Sequence, residues 1–277
     1  MAPLKTVFLA SASALALSLG AATSAKAQVP YNWTGFYIGA NAGYAWGRSD
    51  VTSSFPCTET VFGNAYICTP ASLSSAVGAV AATGTGRASG NGFTGGGQVG
   101  YNLQAGNFVY GLEADFGAFH LKASRTAGAI YPFFGLATPF APFTYNFGAT
   151  VETDWLFTAR GRVGAAFGTL LVYATGGLAV TELKLTTSFS DNFPSGVPVG
   201  GSAAGTASKT KTGWTLGGGA EWALGNNWTV KGEFLYIDFG SVAAPSAIRN
   251  APAYASALNT SADLTARVAR LGINFRF

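Results

Sequence analysis

The stretch that decides the fold is Thr34–Trp46, TGFYIGANAGYAW. Taken at every second residue it separates into two sets. One holds Phe36, Ile38, Ala40, Ala42, Tyr44 and Trp46, and the other holds Gly35, Tyr37, Gly39, Asn41, Gly43 and Ala45. A period of two belongs to a β-strand, whose successive side chains leave on opposite faces. The bulky apolar residues collect on one face, while glycine and asparagine collect on the other.

The same division recurs along the chain. Residues 93–103 set Phe93, Val99, Tyr101 and Leu103 against Thr94, Gln98 and Asn102. Residues 108–118 set Phe108, Tyr110, Leu112 and Phe116 against Glu113 and Asp115. Residues 151–165 set Val151, Trp155, Phe157 and Val163 against Glu152, Asp154, Arg160 and Arg162. Trp214, Leu216, Trp222 and Leu224 oppose Thr215 and Glu221, and Trp228, Val230, Phe234 and Tyr236 oppose Lys231 and Glu233. The closing strand sets Leu271, Ile273, Phe275 and Phe277 against Arg270, Asn274 and Arg276. The stretch Leu170–Leu185 is apolar in both phases, so its faces stay unassigned.

This predicts eight strands separated by gaps that alternate in length. The short gaps are Gln104–Asn107, Ala166–Thr169 and Gly225–Asn227; the long ones are about 48–92, 119–150, 186–212 and 240–262. Proline cannot donate to a strand ladder. Beyond Pro30 the chain has nine prolines, and all nine fall in the long gaps.

Residues 1–27 read as a secretory signal: Lys5, a short apolar run from Val7 to Leu19, then Ala25-Lys26-Ala27 before the cleavage point. The run is too short to span a bilayer as a helix. The expected mature chain is 28–277. With Lys5 and Lys26 removed, 14 basic residues face 12 acidic ones, which is no electrostatic footprint for nucleic acid. Cys57 and Cys68, in a polar Pro-containing stretch, are expected to form a disulfide in an oxidising compartment.

Composition then bears on where the apolar face points. Only 10% of residues are charged and 48% are hydrophobic. A soluble barrel or sandwich needs a charged exterior, and an average soluble domain is roughly 25% charged. Turning the sheet inside out fits both the composition and the phases: lipid meets the aromatic face, and the lumen takes the polar one. Such a sheet must close, because an open edge in hydrocarbon leaves backbone groups unpaired. Trp46, Trp155 and Trp214 end strands beside long gaps, and Trp222 and Trp228 flank a short one. These five are expected to form two interfacial belts. Short turns on the periplasmic side and four long extracellular loops complete the topology of an eight-stranded antiparallel up-and-down transmembrane β-barrel.

The chain resembles the small eight-stranded outer-membrane proteins of Gram-negative bacteria, the porin-family or outer-membrane immunogenic proteins. The residues that carry the resemblance are Trp33-Thr34-Gly35-Phe36-Tyr37-Ile38-Gly39, Tyr173-Ala174-Thr175-Gly176-Gly177-Leu178-Ala179 and the terminal Phe277. It implies an outer-membrane location reached by signal-peptide export, and contact with outer-membrane lipid and lipopolysaccharide. It also implies that Ile273, Phe275 and Phe277 are read by the outer-membrane assembly machinery. The long first loop with its two cysteines departs from the shortest members, so roles that depend on loops do not carry over.

Eight strands leave an interior that side chains fill. The inward phase supplies Glu113, Asp115, Glu152, Asp154, Glu221 and Glu233 against Arg160, Arg162, Lys231, Arg270 and Arg276. Near-balance favours paired charges that close the lumen over an ion-selective pore. The hairpin centred on Asn226 sets Glu221 opposite Lys231 and predicts their contact; Arg160 and Arg162 are expected near Glu113 and Asp115. His120, the single histidine, and nearby Ser124 form no recognisable catalytic set. No enzyme, cofactor or metal is expected. The favoured reading is a structural or surface barrel with at most a narrow pore. The alternatives are a small-solute diffusion porin and a loop-mediated adhesin or ligand binder.

Overall fold

The computed structural model describes residues 31–56, 74–132, 143–192, 200–225, 227–250 and 254–277. The signal-like segment 1–27 and both cysteines, Cys57 and Cys68, lie outside the described residues. Eight strands run Gly35–Ser54 (β1), Gly86–Ala105 (β2), Phe108–Ile130 (β3), Thr144–Phe167 (β4), Leu170–Asp191 (β5), Ser202–Gly225 (β6), Trp228–Asn250 (β7) and Tyr254–Arg276 (β8). One helix, Ser74–Gly84 (α1), lies between β1 and β2. Every strand pairs antiparallel with its neighbours in sequence, and β8 closes on β1 from Tyr37↔Arg276 to Ser54↔Asn259.

The short gaps are tight turns. Gly106 and Gly168 have φ of 62°, a left-handed conformation that glycine adopts without a Cβ clash. The third turn, at Gly225–Asn227, produces the expected register, with Glu221 opposite Lys231 and Trp222 opposite Val230.

Near the turns the aromatic phase faces out. Leu112 is 72% exposed, Phe108 57%, Trp222 56% and Leu271 73%. The polar phase faces in: Asn41, Gln98, Glu113, Asp115, Arg160, Glu221, Lys231 and Arg270 are all buried. Strand β5 joins this scheme, with Leu171, Tyr173, Thr175 and Ala179 inward and Val172 and Leu178 outward.

The strands run further than expected. They are 20–24 residues long, about twice the roughly 9–11 residues a tilted membrane crossing needs. Much of the stretches 48–92, 119–150, 186–212 and 240–262 is therefore strand rather than loop. The remaining connections are 55–85, 131–143, 192–201 and 251–253. Pro245 lies within β7, opposite Asn259 of β8. On its other side β6 offers no ladder partner between the pairs Ser202↔Arg249 and Trp214↔Asp238, so the missing N–H breaks no hydrogen bond there.

In these extensions the polarity of the wall reverses. Phe119, Leu121, Tyr145, Phe147, Leu183, Leu185, Ile237 and Phe239 fill the upper interior. Arg48, Asp50, Lys122 and Lys184 stand outside. This is the arrangement of a water-soluble barrel, and each buried Leu or Phe contributes about 1.5–3 kcal/mol. Helix α1 adds Ala76 and Val80 to this core, and Thr83 Oγ1 lies 2.8 Å from Tyr145 Oη.

Candidate functional site

The feature with the most chemistry is the charged layer in the turn-side half of the lumen. Inward phases of β3, β4, β6, β7 and β8 project acids and bases into the lumen, where they are buried against one another. On β3 and β4 the register sets Glu113 directly opposite Arg160.

Glu113 is the hub. Its Oε1 lies 2.5 Å from Arg160 Nη2 and 2.8 Å from Lys231 Nζ, while its Oε2 accepts from Lys231 Nζ at 2.8 Å and from Tyr37 Oη at 2.7 Å. Asp115 receives both terminal nitrogens of Arg270 at 3.1 Å, Arg160 Nη2 at 2.8 Å and the Thr158 hydroxyl at 2.6 Å. Glu233 accepts from Arg270 Nε at 2.8 Å and from Tyr173 Oη at 2.9 Å, and is ion-paired with Arg270 Nη2 at 2.7 Å and Arg160 Nη1 at 3.1 Å. Glu221 receives Arg162 Nη2 at 2.7 Å, Thr229 Oγ1 at 2.6 Å and Asn274 Nδ2 at 2.9 Å. Four carboxylates thus meet four cations, all buried. Removing single charges from water costs several kcal/mol each, and only dense pairing offsets it. An amide chain extends the layer: Asn41 donates to Gln98 at 3.0 Å, and Gln98 donates to Asn274.

Of the eleven charges expected in the lumen, eight meet in this layer. Arg276 faces in lower down, outside the ion-paired group, with its guanidinium 4.6 Å over the Tyr31 ring. Glu152 and Asp154 are corrections. The alternation of β4 slips by one residue between Thr153 and Leu156, which are both buried, and the ladder to each neighbouring strand shifts there. Such an irregularity turns the following side chains to the other face. Glu152 therefore lies on the outer wall, 2.6 Å from Lys122 Nζ, and Asp154 is exposed. A second correction concerns Lys231. It is register-paired with Glu221, but its Nζ crosses the lumen to Glu113, and Glu221 takes Arg162 instead. In so narrow a barrel long side chains meet at the axis rather than along the wall.

Three aromatic residues quoted above for their phase or for the resemblance take part in the lumen, a role sequence reasoning did not give them. Tyr37 and Tyr173 donate to Glu113 and Glu233, and the Arg162 guanidinium stacks 4.3 Å over the Tyr173 ring. Their signal was membership of the polar phase and facing glycines: a Cβ on Gly100 would lie 2.3 Å from Tyr37 ring atoms. Trp33 is fully buried with Val109, Leu171 and Ala223 and seals the turn-side end. The other five tryptophans stand on the outer surface, Trp155 half-buried against Phe116 and the others exposed. At the C-terminus Ile273 and Phe277 are exposed, and Phe275 packs edge-on to Trp228 at 5.1 Å. His120 faces outward opposite Phe93. Among the described residues no group of three or more His, Cys, Asp or Glu could hold a metal ion.

A closed antiparallel barrel whose turn-side half is apolar outside and ionic inside defines the class of outer-membrane β-barrels. The chain belongs to the outer membrane protein beta-barrel domain family, whose model matches residues 12–277. It is 36% identical over 253 residues to the 31 kDa outer-membrane immunogenic protein of Brucella melitensis, covering 86% of this chain and 88% of that one. It is 32% identical over 148 residues to a 22 kDa outer membrane protein of Rhizobium leguminosarum bv. viciae, covering 53% of each. Among solved structures, Ail of Yersinia pestis aligns with TM-score 0.32 and 12% identity, over 88% of this chain and 99% of that one. Neisserial surface protein A aligns with TM-score 0.35 and 11% identity, over 88% and 98%. The protein is an outer-membrane β-barrel of the immunogenic type found in Gram-negative bacteria.

Proposed function

We propose that this barrel is a structural and surface component of the outer membrane that conducts no solute and catalyses no reaction. The ionic layer carries the reading: eight buried charged side chains pair across the lumen and occupy its cross-section. Trp33, Tyr31 and Arg276 below it, and the apolar core above it, support the same conclusion. The tight-turn end, with both ends of the barrel domain, faces the periplasm, and the long extensions stand outside the cell. Trp222 and Trp228 mark the inner interface; Trp46, Trp155 and Trp214 mark the outer one. The exposed Ile273 and Phe277, with Phe275, form the strand the assembly machinery reads. Planar-bilayer recording of the purified protein tests the reading: the expected trace is flat, and stable, reproducible openings would replace it with the diffusion-porin reading.

A further inference from the structure

We propose that Arg48 and Arg267 clamp a phosphate of lipopolysaccharide against the outer wall. Both stand on outward phases, of β1 and β8, and are exposed. Trp46 is register-paired with Arg267 on one side and Asn91 on the other; two residues further up, Arg48 lies between Ser89 and Thr265. Together with Tyr236 and the carboxylate of Asp50 these residues line a recess of about 600 Å³ in the wall. Trp46 and Tyr236 set its height, since aromatic residues of this kind gather where headgroups begin.

Neither arginine has an ion-pair partner among the described residues, although carboxylates lie close by. Asp50 is engaged by Arg87 Nε at 3.2 Å, and Asp263 Oδ1 accepts the Asp50 amide at 2.6 Å. Asp238 Oδ1 accepts the Gly240 amide at 2.9 Å. Two uncommitted guanidinium forks beside the Asn91 amide and the Ser89 hydroxyl suit a phosphate, which arginine grips bidentately; the Thr265 hydroxyl donates instead to the Arg48 carbonyl at 3.3 Å.

The wall directly below supplies the other half of an amphiphile's footprint. A second recess, of about 870 Å³, continues down the same strands past Ala42, Gly95, Ala118 and Ala269. Small residues there leave a hollow between the larger apolar side chains, wide enough for an acyl chain. Tyr44, on the lining of the lower recess, lies 5.2 Å from the ring of Trp46 in the upper one and 5.3 Å from Phe93. Cationic above and greasy below, the surface matches a phosphorylated, acylated lipid of the outer leaflet.

The experiment is binding of lipid A, intact and enzymatically dephosphorylated, to the detergent-purified protein by native mass spectrometry. The wild type is expected to lose about tenfold or more in affinity when the phosphates are removed. R48Q/R267Q is expected to bind intact lipid A as weakly as the wild type binds the dephosphorylated form, and to be indifferent to dephosphorylation. R87Q, at the neighbouring paired arginine, is expected to bind as the wild type does. Heat-modifiable migration confirms that each variant is folded, and the wild-type comparison stands whatever the variants do. Equal binding of both lipids by the wild type overturns the proposal, as does undiminished binding by folded R48Q/R267Q. An equal loss in R87Q would show diffuse attraction in place of a clamp. Equal competition by phosphatidylglycerol vesicles would overturn the assignment to lipopolysaccharide.

Discussion

Replacing Glu113 by glutamine keeps the volume of the side chain and an oxygen for Tyr37 while removing the charge at the hub of the lumen. The consequences differ between the two cations nearest to it, Arg160 and Lys231. Arg160 keeps Asp115 at 2.8 Å and Glu233 at 3.1 Å. Lys231 keeps only Glu233, at 3.9 Å, beyond hydrogen-bonding range. The variant thus strands a buried ammonium, and removal of one partner from a buried pair costs about 3–5 kcal/mol. That is more than a hundredfold in the folding equilibrium, at about 1.4 kcal/mol per decade. Urea unfolding from lipid vesicles, followed by the fluorescence of the six tryptophans, reads the change as a lowered midpoint with an unaltered slope. Adding Lys231→Met should restore about 1–3 kcal/mol, because the stranded charge is then gone. The exposed pair Lys122–Glu152 supplies the control, and Lys122→Ala should cost at most about 1 kcal/mol. If Glu113→Gln cost no more than that control, the lumen would be hydrated and its charges separately solvated, and the reasoning behind a closed barrel would fail.

Two further expectations test separate parts of the account. Gly100→Ala drives a Cβ into the Tyr37 ring at 2.3 Å and should destabilise the barrel by about 1–3 kcal/mol, read as a lower midpoint in the same assay. Thiol titration of the unreduced, denatured protein should detect none of the sulfur of Cys57 and Cys68; a count of two would refute the disulfide.

The strand number, the three short connections and the outward aromatic face of the turn-side half were legible because each rests on a local rule, a period of two or a turn; the fourth long gap, 240–262, shrinks to 251–253 because β7, Pro245 included, and β8 run on through it. The pairing of Glu113 and Asp115 with Arg160 was legible for the same reason, since all lie in uninterrupted alternation. Glu152 and Asp154 were misplaced because a one-residue slip leaves no mark in composition. Phe119, Leu121, Tyr145 and Phe147 were assigned to loops because a single polarity rule was applied along the whole strand. The solvent outside the wall changes from lipid to water partway up, and the favoured face changes with it. Lys231 shows a third limit: register placed its Cα beside Glu221, but the reach of a lysine across a narrow lumen decided its partner.

The sharpest measurement is nitroxide scanning along β3, with single labels at 110, 112, 113, 114, 115 and 116 in protein reconstituted into bilayers. Labels at Tyr110, Leu112, Ala114 and Phe116 should collide freely with oxygen dissolved in the lipid, and those at Glu113 and Asp115 should be shielded from both oxygen and a water-soluble relaxant. Oxygen contact at 113 and 115, with 112 and 116 silent, would mean that the barrel carries its charges toward the membrane and its aromatic residues within.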